Sequence, residues 1–168
     1  MAVIYLGLGS NIAREQHIKA GLDALADALG ELKLSHVYES GSVGFCGDAF
    51  YNLVVGVSSA ILLPDLIKLI KRIEDENGRD RTGPKFGPRT LDIDVLTYDD
   101  LVGEYAGITL PRTEITQNAY VLRPLAELAG EACLPGTQES YNGLWCQHDQ
   151  SRQPLKRVSF NWLPAKVL

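Results

Sequence analysis

Apolar and polar positions recur with changing period along the first hundred residues, and each change marks an element. Val3 to Leu8 carries no charge, which predicts a strand at the centre of a sheet. It ends in Gly7-Leu8-Gly9-Ser10-Asn11, where two glycines allow a tight turn or a close backbone approach. From Ile12 to Leu29 the period is helical, with Ile18, Leu22, Leu25 and Leu29 three and four apart. Asn11 is the expected N-cap and Gly30 the expected stop. Leu32 to Ser40 predicts a second strand with Leu34, His36 and Tyr38 on one face, and Ala49 to Val57 a third with Phe50, Asn52, Val54 and Gly56 on one face. Pro64 to Asn77 predicts a second helix with Leu66, Leu69, Ile70 and Ile73 buried. Lys71 and Glu74 read as solvated surface, close enough to the loop that follows to line a cleft there. Leu91, Ile93 and Val95 then alternate with Asp92 and Asp94 in a fourth strand.

Beyond this point the pattern weakens. A short strand before Pro111 and a helix from Pro124 to Ala129 are expected, and Trp145, Phe160 and Trp162 stand out as anchors in the tail. Two helices alternating with four or more strands predict an α/β domain of two βαβ-type units around a mainly antiparallel sheet. That is a two-layer, ferredoxin-like arrangement.

Composition narrows the classes. The chain has 168 residues, so one domain is the default. A net charge of −5 argues against a nucleic-acid-binding surface spread over the whole protein, so any positive field is local. Cys46, Cys133 and Cys146 lack metal-ligand spacing and form no even disulfide set, which favours a reducing setting. The absence of a basic, apolar leader and of any long apolar run leads us to expect a cytoplasmic protein with no membrane partner.

The positive field is easily found. Arg79, Arg81, Lys85 and Arg89 lie in a loop punctuated by glycine and proline that leads directly into Asp92 and Asp94. Period two puts both carboxylates on one face, with Cα atoms about 6.6 Å apart. Carboxylates that close repel unless a cation accompanies them, and a hard divalent ion such as magnesium suits their oxygens. Basic residues beside such a pair point to a polyphosphate. The competing explanation is a salt-bridged hairpin loop feeding an edge strand. Asn52, on an otherwise apolar strand, can read a heterocycle while Phe50 stacks on it, or it can be a turn-end amide beside a core aromatic.

Four blocks taken together carry a resemblance: Leu6-Gly7-Leu8-Gly9-Ser10-Asn11, Phe50-Tyr51-Asn52, Ile73-Glu74 followed by Gly78-Arg79-Asp80-Arg81, and Phe86-Gly87-Pro88-Arg89-Thr90-Leu91-Asp92-Ile93-Asp94. In this order and spacing they resemble the 6-hydroxymethyl-7,8-dihydropterin pyrophosphokinase family over residues 1 to 130. The resemblance implies a ferredoxin-like α/β/α sandwich with a catalytic domain over 1–130; residues 131–168 are expected to be an extension packed on the domain or at a dimer contact, in a monomer or homodimer. It implies two Mg2+ ions on Asp92 and Asp94, ATP as co-substrate, and Arg79 and Arg89 steadying the transferred group. Lys71, Glu74, Arg81, Lys85, Phe86, Thr109 and Arg112 would face the nucleotide. Ser40, Val43, Phe50, Asn52 and Tyr120 would face the pterin. The implied reaction moves diphosphate from ATP to the pterin hydroxymethyl group and leaves AMP. The chain departs from the family pattern at Gly107, at Arg112 (where Pro-His is usual) and at Asn118, and its loop after Ser40 has glycines where prolines are usual. Those departures keep open a paralogue acting on another fused-ring alcohol, or a noncatalytic pterin- or nucleotide-binding protein.

Overall fold

In the computed structural model, residues 1–41, 49–78 and 90–164 are described. In chain order the elements are β1 (Ala2–Ser10), α1 (Arg14–Leu29), β2 (Lys33–Leu34), β3 (Val37–Ser40), β4 (Phe50–Ser59), α2 (Leu63–Glu76) and β5 (Asp92–Tyr98). Then come β6 (Gly103–Tyr105), β7 (Ile108–Leu110), α3 (Glu114–Gln117), α4 (Ala119–Ala129), α5 (Tyr141–Gln147) and β8 (Lys156–Val158). The main sheet runs β5-β1-β4-β3-β8, with β2 beside β4, and every pairing in it is antiparallel. β1 and β3, joined through α1, therefore run parallel with β4 between them. β4 and β5, joined through α2, run parallel with β1 between them. These are two split βαβ units, as the ferredoxin-like expectation required.

Alternation along the strands makes three layers. Ile4, Leu6 and Leu8 of β1, with Leu53, Val55 and Val57 of β4, pack against Ile18, Leu22 and Leu25 of α1 and Leu66, Ile70 and Ile73 of α2. On the other face Val54 and Leu96 pack with Leu122 and Leu125 of α4 and Tyr141 of α5. Among the described residues, each strand face that the sequence marks as apolar is covered, so the sheet sits between two helical layers.

Five details differ from the sequence reading, each for a physical reason. Asn11 does not cap α1. It is buried with Ser10, whose hydroxyl donates to the Thr90 carbonyl at 2.5 Å, so the chain stays with the sheet and the helix starts at Arg14 after Ala13 in the left-handed region. The strand expected over Leu32 to Ser40 is two short strands. Ser35 breaks it, because its hydroxyl replaces a ladder carbonyl in accepting the Val54 N–H at 2.9 Å. A register shift where β5 passes Tyr5 and Leu6 leaves Leu96 as the extra residue and breaks the alternation after it, so that Tyr98 rather than Thr97 packs on the first core. α4 starts at Ala119 and contains Pro124, which removes only the bond that residue 124 would give to the Tyr120 carbonyl. Glu74, expected at the surface, is only 6% exposed and accepts the Ile93 N–H at 3.0 Å.

The tail wraps back on the domain. β8 extends the sheet beside β3, pairing Val37 with Val158 and Glu39 with Lys156. Trp162 donates from Nε1 to Asp23 of α1 at 2.8 Å, and Phe160 lies under the Lys19 ammonium. Among the described residues, no helix is long and apolar enough to cross a membrane.

Candidate functional site

The candidate site lies on the sheet face that also carries the second core, toward one end of β1, β4 and β5. Antiparallel register brings its parts together: Gly9 lies opposite both Asp92 and Asn52, and Gly7 opposite both Asp94 and Val54. The central strand thus offers only hydrogen atoms on this face, between the carboxylates on one side and the amide on the other. A Cβ on Gly9 would stand 2.9 Å from Asn52 Oδ1, and one on Gly7 would meet Leu96 at 3.4 Å. The glycines are therefore not a turn but the bare floor of the site. Their period of two, in register with the aspartates, was the signal available in the sequence.

Asn52 is buried and fixed. Its Nδ2 donates to the Ser40 hydroxyl at 2.8 Å across the β3–β4 pair, which leaves Oδ1 over Gly9. Phe50, two residues earlier on β4, stands opposite Ser40. Tyr38, opposite Asn52, is held from the helical side: its hydroxyl donates to Glu127 Oε1 at 2.6 Å, and Glu127 Oε2 accepts the His36 backbone N–H at 2.7 Å. Burial works against the Glu127 charge, but the Tyr38 and His36 donors hold its carboxyl below the usual range. These contacts tie α4 to β3 over the site.

The carboxylates have one described cationic neighbour in direct contact. Arg112 reaches Asp94 Oδ1 at 3.0 Å and Glu114 Oε2 at 2.8 Å, while its backbone N–H donates to the Leu96 carbonyl at 2.9 Å. That last bond pins the start of the α3 segment against β5. Burial and the neighbouring Asp92 push the Asp94 carboxyl up to about 7, even though Arg112 pulls the other way. Burial opposes the Arg112 charge, but Asp94 and Glu114 hold its guanidinium above its ordinary range. Tyr120, in the first turn of α4, feels the same field: burial, then Glu114, Asp92 and Asp94, raise its hydroxyl pKa. Among the described residues, this face gathers the half-buried carboxylates of Asp92, Asp94 and Glu114 around Arg112, beside an oriented amide.

The structure brings Asp92, Asp94, Arg112, Tyr120, Asn52, Ser40 and Phe50 to this one face. Glu74 reaches β5 from the opposite layer through the Ile93 N–H. Lys71 lies on the exposed side of α2, one turn before Glu74, and Thr109 is exposed on β7, opposite Glu104. Val43, Arg79, Arg81, Lys85, Phe86 and Arg89 lie outside the described residues. Glu114 and Tyr38 escaped the sequence reading, since neither falls in a motif. A separate cleft of about 640 Å3, lined by Gln117, Leu122, Leu144, His148 and Gln153 among others, contains neither aspartate.

The donor set fits a hard divalent cation. Among the described residues no group of three or more His, Cys, Asp or Glu gathers at metal-binding distance. Two neighbouring carboxylates on one strand face are nevertheless what magnesium takes when phosphate and water complete its shell.

Comparison with known proteins then decides the family. The model of the 7,8-dihydro-6-hydroxymethylpterin-pyrophosphokinase family matches residues 5–130. The chain belongs to this family. It is 36% identical over 130 residues to the 2-amino-4-hydroxy-6-hydroxymethyldihydropteridine pyrophosphokinase of Aquifex aeolicus, across 76% of this chain and 81% of that protein. It is 37% identical over 138 residues to the protein of the same name from Pseudomonas aeruginosa, across 79% and 83%. In fold it is similar to Plasmodium falciparum HPPK-DHPS crystallised with pteroate, with a TM-score of 0.68 at 14% identity, covering 87% of this chain and 44% of that one. In this family member, β8 and the Trp162 anchor lie beyond the matched residues.

Proposed function

We propose that the protein transfers diphosphate from ATP to the hydroxymethyl group of 6-hydroxymethyl-7,8-dihydropterin. The observation that carries this reading is the juxtaposition, across two bare glycines, of a half-buried aspartate pair and an oriented amide in a chain of this family. The pterin's donor and acceptor edge meets Asn52, which Ser40 holds in one orientation, and Phe50 and Tyr120 supply aromatic surface on either side. By the family resemblance, Val43 would also face the pterin.

Asp92 and Asp94 hold two magnesium ions with the phosphates of ATP. Bound there, magnesium neutralises phosphate charge and favours loss of the hydroxyl proton. The hydroxymethyl oxygen attacks the β-phosphorus, the bond from that phosphorus to the oxygen bridging to the α-phosphate breaks, and AMP leaves. The hydroxyl proton passes to water. Arg79 and Arg89 hold the charge that spreads over the transferred group, and Arg81, Lys85, Phe86, Lys71 and Thr109 bind the nucleotide. Arg112, already on Asp94, keeps that carboxylate facing the phosphates. Glu74 acts through β5, since its Oε2 is engaged by the Ile93 N–H.

The test is a product assay with ATP, magnesium and the dihydropterin, separating nucleotides by chromatography. AMP formed one-for-one with pterin diphosphate is expected. ADP as the product, or tight pterin binding without nucleotide turnover, would overturn the reading in favour of a different phosphoryl transfer or a binding protein.

A further inference from the structure

The segment beyond the family match reaches back to the helix that carries Tyr120. Gln153 Oε1 accepts the Ala119 backbone N–H at 2.7 Å, and Gln153 Nε2 donates to Asn118 Oδ1 at 3.0 Å. Ala119 is the first residue of α4 and Asn118 its N-cap, whose side chain makes no capping bond of its own. A helix start leaves its first N–H groups without intrahelical partners. Here a residue 34 positions downstream supplies the missing acceptor.

This first turn needs the help. Pro124 lies inside α4, so the Tyr120 carbonyl cannot receive the usual bond from residue 124. The Asn118 carbonyl accepts from Val121 and Leu122, which holds the turn only from within. Tyr120 sits between these two weak points, half-buried and within the field of Asp92, Asp94 and Glu114. Gln153 is itself half-buried, lines the cleft with Leu122 and Leu144, and has its amide fixed by two bonds rather than one.

We infer that Gln153 is a positioning residue for the pterin side of the site: it fixes the first turn of α4 and thereby the Tyr120 ring against the substrate. This rests on the proposed pterin reading of the site. It makes the stretch that carries Gln153, beyond the family match, part of substrate recognition. An interaction that holds a stacking ring acts equally on bound substrate and transition state, so its loss raises KM and leaves kcat alone.

The experiment compares wild type, Gln153→Ala and Gln153→Glu in steady-state assays, varying the dihydropterin and ATP in turn. Amide hydrogen exchange of the α4 start is followed in parallel. Loss of a helix cap is worth about three- to tenfold in an equilibrium. Gln153→Ala is expected to raise KM for the pterin about three- to tenfold, with kcat and KM for ATP unchanged, and to speed exchange at Ala119. Gln153→Glu keeps an acceptor for the Ala119 N–H and should restore most of the pterin KM. An unchanged pterin KM in Gln153→Ala, or equal losses for both substrates with a lowered Tm and no rescue by Gln153→Glu, overturns the inference. Wild type that releases no AMP overturns the underlying reading instead, and exchange at Ala119 still reports whether the cap exists.

Discussion

Asp94 shows what the site demands of a single residue. Its carboxyl has a folded pKa of about 7, above the ordinary 3.8, because it is desolvated beside Asp92. The fold thus prefers the protonated form. The stability this contributes is fully present below about pH 4 and is lost as pH rises through about 7. Asp94→Asn removes that penalty, and Arg112 keeps Glu114 as a partner. The variant should match or exceed wild type in Tm at pH 8, show no advantage at pH 4, and lose turnover and magnesium-dependent stabilisation. Thermal melts at both pH values, with and without magnesium, check this; a variant that still gains Tm from magnesium would detach the ion from Asp94. Gly9 makes the complementary case. Glycine to alanine within a strand ordinarily gains roughly 0.5–1 kcal/mol. Here the new methyl would press on Asn52 Oδ1, 2.9 Å away. Gly9→Ala should keep a near-normal Tm while pterin affinity, read by fluorescence titration, falls about tenfold or more, the effect of roughly 1.4 kcal/mol.

Elements set these residues in place, and the contacts between elements were the least legible part of the chain. Glu74 is the clearest example. Its spacing on α2 puts it beside Ile73 at the edge of the buried stripe, and a carboxylate there reads as solvated. In the fold it passes under β5 and takes the Ile93 N–H, between the two aspartates. Removing it strands a buried donor, which costs about 1–3 kcal/mol. Glu74→Ala should lower unfolding stability by that amount in urea titration, and Glu74→Gln, which retains an acceptor, by less. Equal losses in the two variants would mean that burial of the stem, not the hydrogen bond, is what matters. The strands themselves were readable, because period-two alternation is local: Ile93 and Val95 face one core, and Asp92 and Asp94 the other side. The split at Ser35, the bulge at Leu96 and the start of α1 after Ala13 were not, because each depends on a partner far along the chain: Val54, β1 and Thr90. The candidate site follows the same division. Asp92, Asp94 and Asn52 stand out by type and pattern, while Glu114 and Tyr38 matter only through neighbours that topology supplies.

At the scale of the whole molecule, the tail closes what would otherwise be an open sheet edge. Without β8, β3 would present Val37 and Glu39 backbone groups to solvent, the kind of edge that recruits other chains. Phe160 and Trp162 continue from β8 onto α1, where Trp162 meets Asp23 and both rings pack on the first core. Partial burial of Val158 and two aromatic rings is worth about 2–3 kcal/mol, which in a chain of this size corresponds to a fall in Tm of about 5–10 °C. Deleting residues 154–168 spares Gln153 and every described residue of the site. The truncated protein should therefore melt earlier by that margin and associate through β3 at high concentration. At 25 °C and low concentration it should keep the pterin KM of the full chain. Calorimetry, sedimentation velocity and the AMP assay on one preparation separate these effects. A truncated chain with unchanged Tm would show that β8 adds nothing to the fold. One with normal Tm but raised pterin KM would assign the strand to the site instead.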